Sequence, residues 1–175
     1  MATTKWVIDP THSEIQFKVK HLVISTVTGS FKSFEGGIET ENEDFDGATV
    51  HFSADVTSID TNQSQRDEHL KSPDFFDAAN HPKLSFSGKL QKKGDDSYKL
   101  HGDLTVKNVT KAVDFAVEYG GNMTDFYGNN KSGFEISGKI NRKEFGLEWS
   151  AVTEAGGVVV GDDVKLIANV QVVKQ

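Results

Sequence analysis

Apolar and polar residues alternate along most of this chain, and a period of two is the repeat of a β-strand, not of a helix. Ile15, Phe17 and Val19 alternate with Glu14, Gln16, Lys18 and Lys20. The same rhythm runs through Val50–Val56, Leu84–Leu90, Tyr98–Val106, Val113–Tyr119, Phe134–Ile140 and Val164–Val172. With a shorter segment from Phe31 to Thr40, the count reaches about eight strands, each with one apolar and one wet face. Turn signals separate them: Gly36-Gly37, Asp46-Gly47, Gly94-Asp95-Asp96, Gly120-Gly121-Asn122, Gly128-Asn129-Asn130 and Gly161-Asp162-Asp163. Short connections favour antiparallel neighbours, and two packed sheets or one closed sheet could hide the apolar faces. Closure also removes the exposed edges that aggregate, and the pattern favours a barrel over a sandwich. Gly88, Gly102 and Gly138 fall on the inward face, where they permit the sharp coiling of a small barrel.

One stretch breaks the rhythm. Residues 64–79, SQRDEHLKSPDFFDAA, show no alternation and carry Pro73 in the middle. One or two helical turns are predicted over Arg66–Lys71, with Asn62 or Ser64 as N-cap, and Pro73 stops them. A second turn from Ser72-Pro73-Asp74 carries Phe75 and Phe76, so with Leu70 the segment reads as an apolar lid on one barrel mouth. No repeat or second domain interrupts residues 1–175, which read as one domain.

Composition narrows function. The 26 acidic and 19 basic residues give a net charge of −7, with no basic stripe, which argues against nucleic acid as a partner. The absence of cysteine removes disulfides, thiolate metal sites and a cysteine nucleophile together. The opening Met-Ala-Thr-Thr-Lys-Trp has no apolar run, and no later stretch reaches the ~18 residues of a spanning helix. The expectation is a cytoplasmic protein without a stable membrane anchor, periplasmic only if a leader has been removed. A homodimer through exposed aromatics is open to such a barrel.

The six histidines show no metal-ligand spacing, and His51 and His101 fall on wet faces. His21 shares the parity of Ile15, Phe17 and Val19, so it is placed either on a ligand head group or on backbone partners at the mouth. Arg66-Asp67 and His69 resemble catalytic material, but they read better as adjacent charges on a short helix, with Arg66 and Asp67 tying the lid to neighbouring loops. Asn141 and Arg142 end a strand as a corner, or anchor a polar head group there. Neither an acid–base carboxylate pair nor a nucleophile elbow, phosphate loop or dinucleotide fingerprint is present. The twelve phenylalanines weigh more. Phe17, Phe52, Phe86, Phe115 and Phe134 point inward, and an eight-stranded barrel is either just filled by side chains or just wide enough for one ligand. Alternation does not separate these outcomes.

Assembled in order, the residues resemble the YceI-like family. The pieces are Trp6-Val7-Ile8-Asp9 with His12-Ser13, Phe17-Lys18-Val19-Lys20-His21, and Gly29-Ser30-Phe31. The most specific block is Ser58-Ile59-Asp60-Thr61, Arg66-Asp67-Glu68-His69-Leu70 and Asp74-Phe75-Phe76-Asp77. His81-Pro82, Gly102-Asp103-Leu104-Thr105-Val106, Ile140-Asn141-Arg142 with Phe145-Gly146, and Val160-Gly161-Asp162-Asp163-Val164 complete it.

The resemblance implies an all-β, lipocalin-like antiparallel barrel of about eight strands, with a long apolar cavity that takes a polyisoprenoid, an isoprenoid quinone or a similar lipid. It implies no catalytic set and no other cofactor. The lumen is then expected to be lined by Phe17, Val19, Phe31, Phe34, Phe52, Val56, Leu70, Phe75, Phe76, Phe86, Leu104, Val106, Phe115, Phe134, Ile136, Ile140, Phe145 and Trp149. His21, Arg66, Asn141 and Arg142 are the candidates for a polar mouth. Two other readings stand beside the lipid binder: an enzyme acting on a hydrophobic substrate in the same cavity, and a filled barrel serving as a stress-related interaction module.

Overall fold

The computed structural model describes residues 3–21, 25–42, 44–73, 75–147 and 160–175. Its strands are β1 (Thr4–Ile8), β2 (Glu14–His21), β3 (Ser25–Phe31), β4 (Phe34–Thr40), β5 (Thr49–Asp55), β6 (Ile59–Asp60), β7 (Lys83–Lys92), β8 (Ser97–Val106), β9 (Val109–Thr124), β10 (Asn130–Asn141) and β11 (Val160–Lys174). Among the described residues one α-helix, α1 (Ser64–Lys71), lies between β6 and β7. All pairings are antiparallel and follow the order β1-β4-β5-β7-β8-β9-β10-β11, and β1 returns to β11 to close an eight-stranded barrel.

The extra segments are the continuations of broken walls. β2 carries on from β1 along β11: Ile8 faces Val172 and Glu14 faces Asn169. β3 and β4 make the next wall against β2 and β1, and β6 extends β5 by pairing with β3. The expected strand Phe31–Thr40 is strand over most of its length but is broken by a bend at Lys32-Ser33, with β3 ending at Phe31 and β4 running from Phe34 to Thr40. The short β1 and the run Ser25-Thr26-Val27-Thr28 lack alternation, and periodicity misses them.

Three expected turns are strand instead. Gly36 and Gly37 sit inside β4. A Cβ on Gly36 would lie 2.6 Å from the His51 carbonyl oxygen, and one on Gly37 would lie 2.6 Å from that of Trp6. These glycines serve close strand approach where turn geometry was read. Gly120 and Gly121 lie within β9 at a bulge, where Gly133 faces Gly121 but Phe134 faces Tyr119. Gly121 has φ +117°, the backbone an L side chain resists. Gly161-Asp162-Asp163 belongs to β11.

α1 forms where it was expected, but Gln63 is its N-cap and makes no side-chain cap bond; Asn62 stands outside with φ 65°. Beyond Ser72 the described residues form turns and no second helix, through Phe76 N–H to the Leu70 carbonyl (3.0 Å) and Ala78 N–H to the Lys71 carbonyl (2.9 Å). No helix among the described residues is long and apolar enough to cross a membrane.

The break between β1 and β2 is fixed by Asp9. Its carboxylate accepts from the Thr11 N–H (3.1 Å) and hydroxyl (2.7 Å), meets His12 Nδ1 at 2.7 Å, and accepts from Lys131 Nζ at 3.3 Å. The Thr11 hydroxyl first, then His12 and Lys131, hold its pKa far below the usual carboxylate range. A depressed carboxyl pKa stabilises the fold above the unfolded value of about 3.9, and that contribution is lost as pH falls towards the folded value. Asp9→Asn is expected to lower stability by about 1 kcal/mol at pH 7, the worth of a capping side chain. In urea titrations its gap to wild type should close below about pH 4; a gap unchanged down to pH 3 would rule out the charged cap.

Candidate functional site

The inward faces enclose a cavity of about 230 Å³. Its long axis is set by β11, whose Val164, Leu166, Ala168, Val170 and Val172 all line it. Val164 to Val172 spans roughly 26 Å of strand, so the space is long and slim. An apolar cavity of about 150 Å³ already accepts a benzene-sized guest and stays dry when empty.

Of the residues expected in the lumen, Phe17, Val19, Phe31, Phe52, Phe86, Leu104, Val106, Phe115, Phe134, Ile136 and Ile140 line it from the strands. Leu70, Phe75 and Phe76 line it from α1 and the turn after it, and Phe76 packs edge-on against Phe31 with ring centroids 6.1 Å apart. Phe34, Val56 and Phe145 do not reach the cavity. Phe34 stacks against Phe52 (6.1 Å), while Val56 and Phe145 are fully packed, 2 % and 1 % exposed. Phe34 opens β4, and Val56 and Phe145 lie in the short turns after β5 and β10, away from the inward-facing middle of the strands. Trp149 and the side chain of His21 lie outside the described residues.

Glycines make room for the inward rings. A Cβ on Gly29 would run into the ring of Phe17, and one on Gly138 into that of Phe115. Each ring occupies the space that a side chain on the neighbouring strand would otherwise fill.

The end of the barrel near Thr4 and Lys174 is stopped by a side chain that alternation does not flag. Phe45, on the loop between β4 and β5, is 5 % exposed and meets Trp6 (5.4 Å), Tyr119 (5.8 Å) and Phe134 (4.9 Å). Hydrogen bonds from Thr40 Oγ1 to the Asp44 carbonyl (2.9 Å) and from Lys92 N–H to Asp46 (2.9 Å) hold the loop in place. Its sequence, Glu-Asp-Phe-Asp-Gly, shows one phenylalanine among acids, and that isolated apolar residue is the only signal available.

The polar mouth set divides. Arg66 and Asp67 both turn onto Thr61, which is 3 % exposed. Arg66 Nε donates to its hydroxyl (2.8 Å) and Nη2 to its carbonyl (2.6 Å), while Asp67 accepts from its N–H (2.8 Å) and hydroxyl (2.5 Å). They tie α1 to β6, and Arg66 does not line the cavity. Asn141 caps the turn after β10 by accepting from the Lys143 N–H (3.0 Å), and it too stands off the lumen.

Arg142 differs: it lines the cavity beside Leu147 with its side chain only 3 % exposed. Nη1 donates to the Leu147 carbonyl (2.5 Å), and Nη2 lies 3.9 Å from Asp162. Burial pulls its pKa below the usual arginine value and Asp162 opposes that shift, yet a guanidinium stays charged at neutral pH. The other polar lining residues, Gln16 and His51, belong by register to the outer face. Among the described residues the lumen thus presents one inward cation and no acid–base pair.

Comparison with known proteins agrees with this architecture. A sequence model of the YceI-like domain matches residues 6–172. A Staphylococcus epidermidis protein described as a UPF0312 protein is 36% identical over 169 residues, covering 96% of each chain. The crystal structure of the Campylobacter jejuni YceI protein is similar with a TM-score of 0.76 at 30% identity, over 89% of this chain and 90% of that one. A domain from Saccharophagus degradans, described as polyisoprenoid-binding and implicated in plant cell wall breakdown, shares the fold at 14% identity. Its TM-score is 0.74, over 97% of this chain and 98% of that one.

Proposed function

The chain belongs to the YceI-like family, and on that premise we propose that its barrel takes up a long apolar lipid, an isoprenoid chain or isoprenoid quinone, and holds it without changing it. The observation that carries this reading is the slim cavity of about 230 Å³ with an almost wholly apolar wall. A linear tail fits such a space better than a broad fused-ring ligand, and each buried CH₂ contributes about 0.8 kcal/mol. The polyisoprenoid-binding description of a domain with the same fold supports the ligand class.

Apolar burial is non-directional, so selectivity falls to the polar end of the lumen. Arg142 is the group placed to receive a carbonyl or anionic head, because its guanidinium is already desolvated at the wall. A head group there is read by a fixed planar donor, while the tail runs towards Phe134 and Phe45. Among the described residues the inward wall offers one guanidinium, which is neither a general base nor a nucleophile, and this is the support for a non-catalytic role.

Native mass spectrometry and organic extraction of detergent-free protein from its own source test the reading. The expected result is a near-stoichiometric adduct with an isoprenoid mass. A clean apo mass that stays unchanged after incubation with prenyl lipids would overturn it.

A further inference from the structure

We propose that the turn between β9 and β10 is a docking tip for the surface of an uncharged lipid bilayer. The ladder between β8 and β9 ends at Ser97 facing Glu118, whereas β9 continues to Thr124, so this hairpin projects beyond its neighbour. At its end Phe126 and Tyr127 are 106% and 89% exposed, and Met123 beside them is 62% exposed. Val7 is the only other large apolar residue so exposed among the described residues.

The tip is stiff. Asp125 Oδ1 accepts from the N–H groups of Tyr127 and Asn129, both at 2.9 Å. Asn122 and Asn130 exchange amide hydrogen bonds of 2.9 Å across the strands below. The backbone carrying the two rings is thus already ordered, which lowers the entropy cost of binding.

Size and charge select the occupant. An aromatic side chain buries roughly 150–250 Å², so two of them fall well short of the roughly 800 Å² each partner contributes to a stable protein complex. A bilayer asks for no complementary surface: a convex tip inserts its rings at the headgroup level, where a tyrosine keeps its hydroxyl wet. Residues 123–131 carry one carboxylate, Asp125, and one ammonium, Lys131, 3.5 Å apart, and Lys131 is shared with Asp9 at 3.3 Å, so the tip has no excess positive charge on a chain of net charge −7. That balance suits zwitterionic lipid and opposes an anionic surface. The inference rests on the lipid-binding reading only for the reason to visit a membrane; the geometry stands apart from it.

Flotation of the whole chain with phosphatidylcholine vesicles tests the tip, with lumen occupancy measured by extraction on the same samples. Wild type is expected to float, and Phe126→Ser/Tyr127→Ser to partition more than about tenfold less, with unchanged melting temperature and unchanged lumen lipid. Phe126→Trp, which keeps an interfacial ring, should float like wild type and shift its emission to the blue. Wild type that does not float, or a double variant that floats equally, overturns the proposal. A wild-type dimer in sedimentation velocity that the double variant loses also overturns it, assigning the tip to a second copy instead. An empty lumen with tip-dependent flotation would fail the carrier reading alone.

Discussion

Replacing Ala168 by phenylalanine is expected to strip the barrel of its lipid while leaving the fold intact. Ala168 lines the cavity from β11, with Ile136 on one side and Ile15 on the other, midway between Val164 and Val172. A phenyl group needs a space of about 150 Å³, most of the roughly 230 Å³ available, and it lands where a linear tail has to pass. Extracted isoprenoid should drop below about a tenth of the wild-type amount, more than a tenfold loss. The stability change carries a second message. In a hollow barrel the ring fills vacant apolar space, so the lipid-free variant should melt at or a few degrees above lipid-free wild type, as cavity-filling substitutions do. In a filled barrel the same ring would overpack the core and cost about 1–3 kcal/mol. Lipid content equal to wild type would move the ligand out of the lumen, and a sharp loss of stability would mean that no lumen exists.

Phe145→Ala is expected to cost about 3–5 kcal/mol in urea unfolding, the range for truncating a fully packed phenylalanine. Phe145 is 1 % exposed and sits in the turn after β10 that also positions Arg142. Phe76→Ala should cost much less, about 1–2 kcal/mol, because that ring already faces the cavity on one side and lacks partner atoms there. The contrast between the two matters more than either value. Equal costs would mean that Phe76 is packed on all sides and the lid has no space beneath it.

Much of this architecture was legible in the residues because the signals are local. Ile15, Phe17 and Val19 declare their shared face by spacing alone, and the ladder pairs them with Ala168, Leu166 and Val164. The helix around Arg66–Lys71 showed itself by breaking the rhythm. Arg66 and Asp67 read as ties, and the structure turns both onto Thr61. Glycine was the less faithful guide. Gly36-Gly37 and Gly120-Gly121 carry a turn signature, yet one pair lets neighbouring strands approach and the other makes a bulge. The residue type is the same in each case, but Gly36-Gly37 spare a clash with neighbouring strands, whereas Gly121 supplies a positive φ that the bulge needs.

The division between the two levels has a physical basis. Side-chain parity is fixed by the backbone of a single strand, so the chain alone determined that it would form about eight antiparallel strands with apolar inner faces and a helical interruption. Closure through β1 and β11 joins residues near opposite ends of the chain. The Phe45 stopper depends on three rings brought in by three other strands. Whether Val56 and Phe145 pack solidly while Phe52 and Phe76 face open space is decided by a small difference between the volume the strands enclose and the volume their side chains fill. Only the tertiary structure fixes that difference, and it leaves a slim apolar space with Arg142 at its wall.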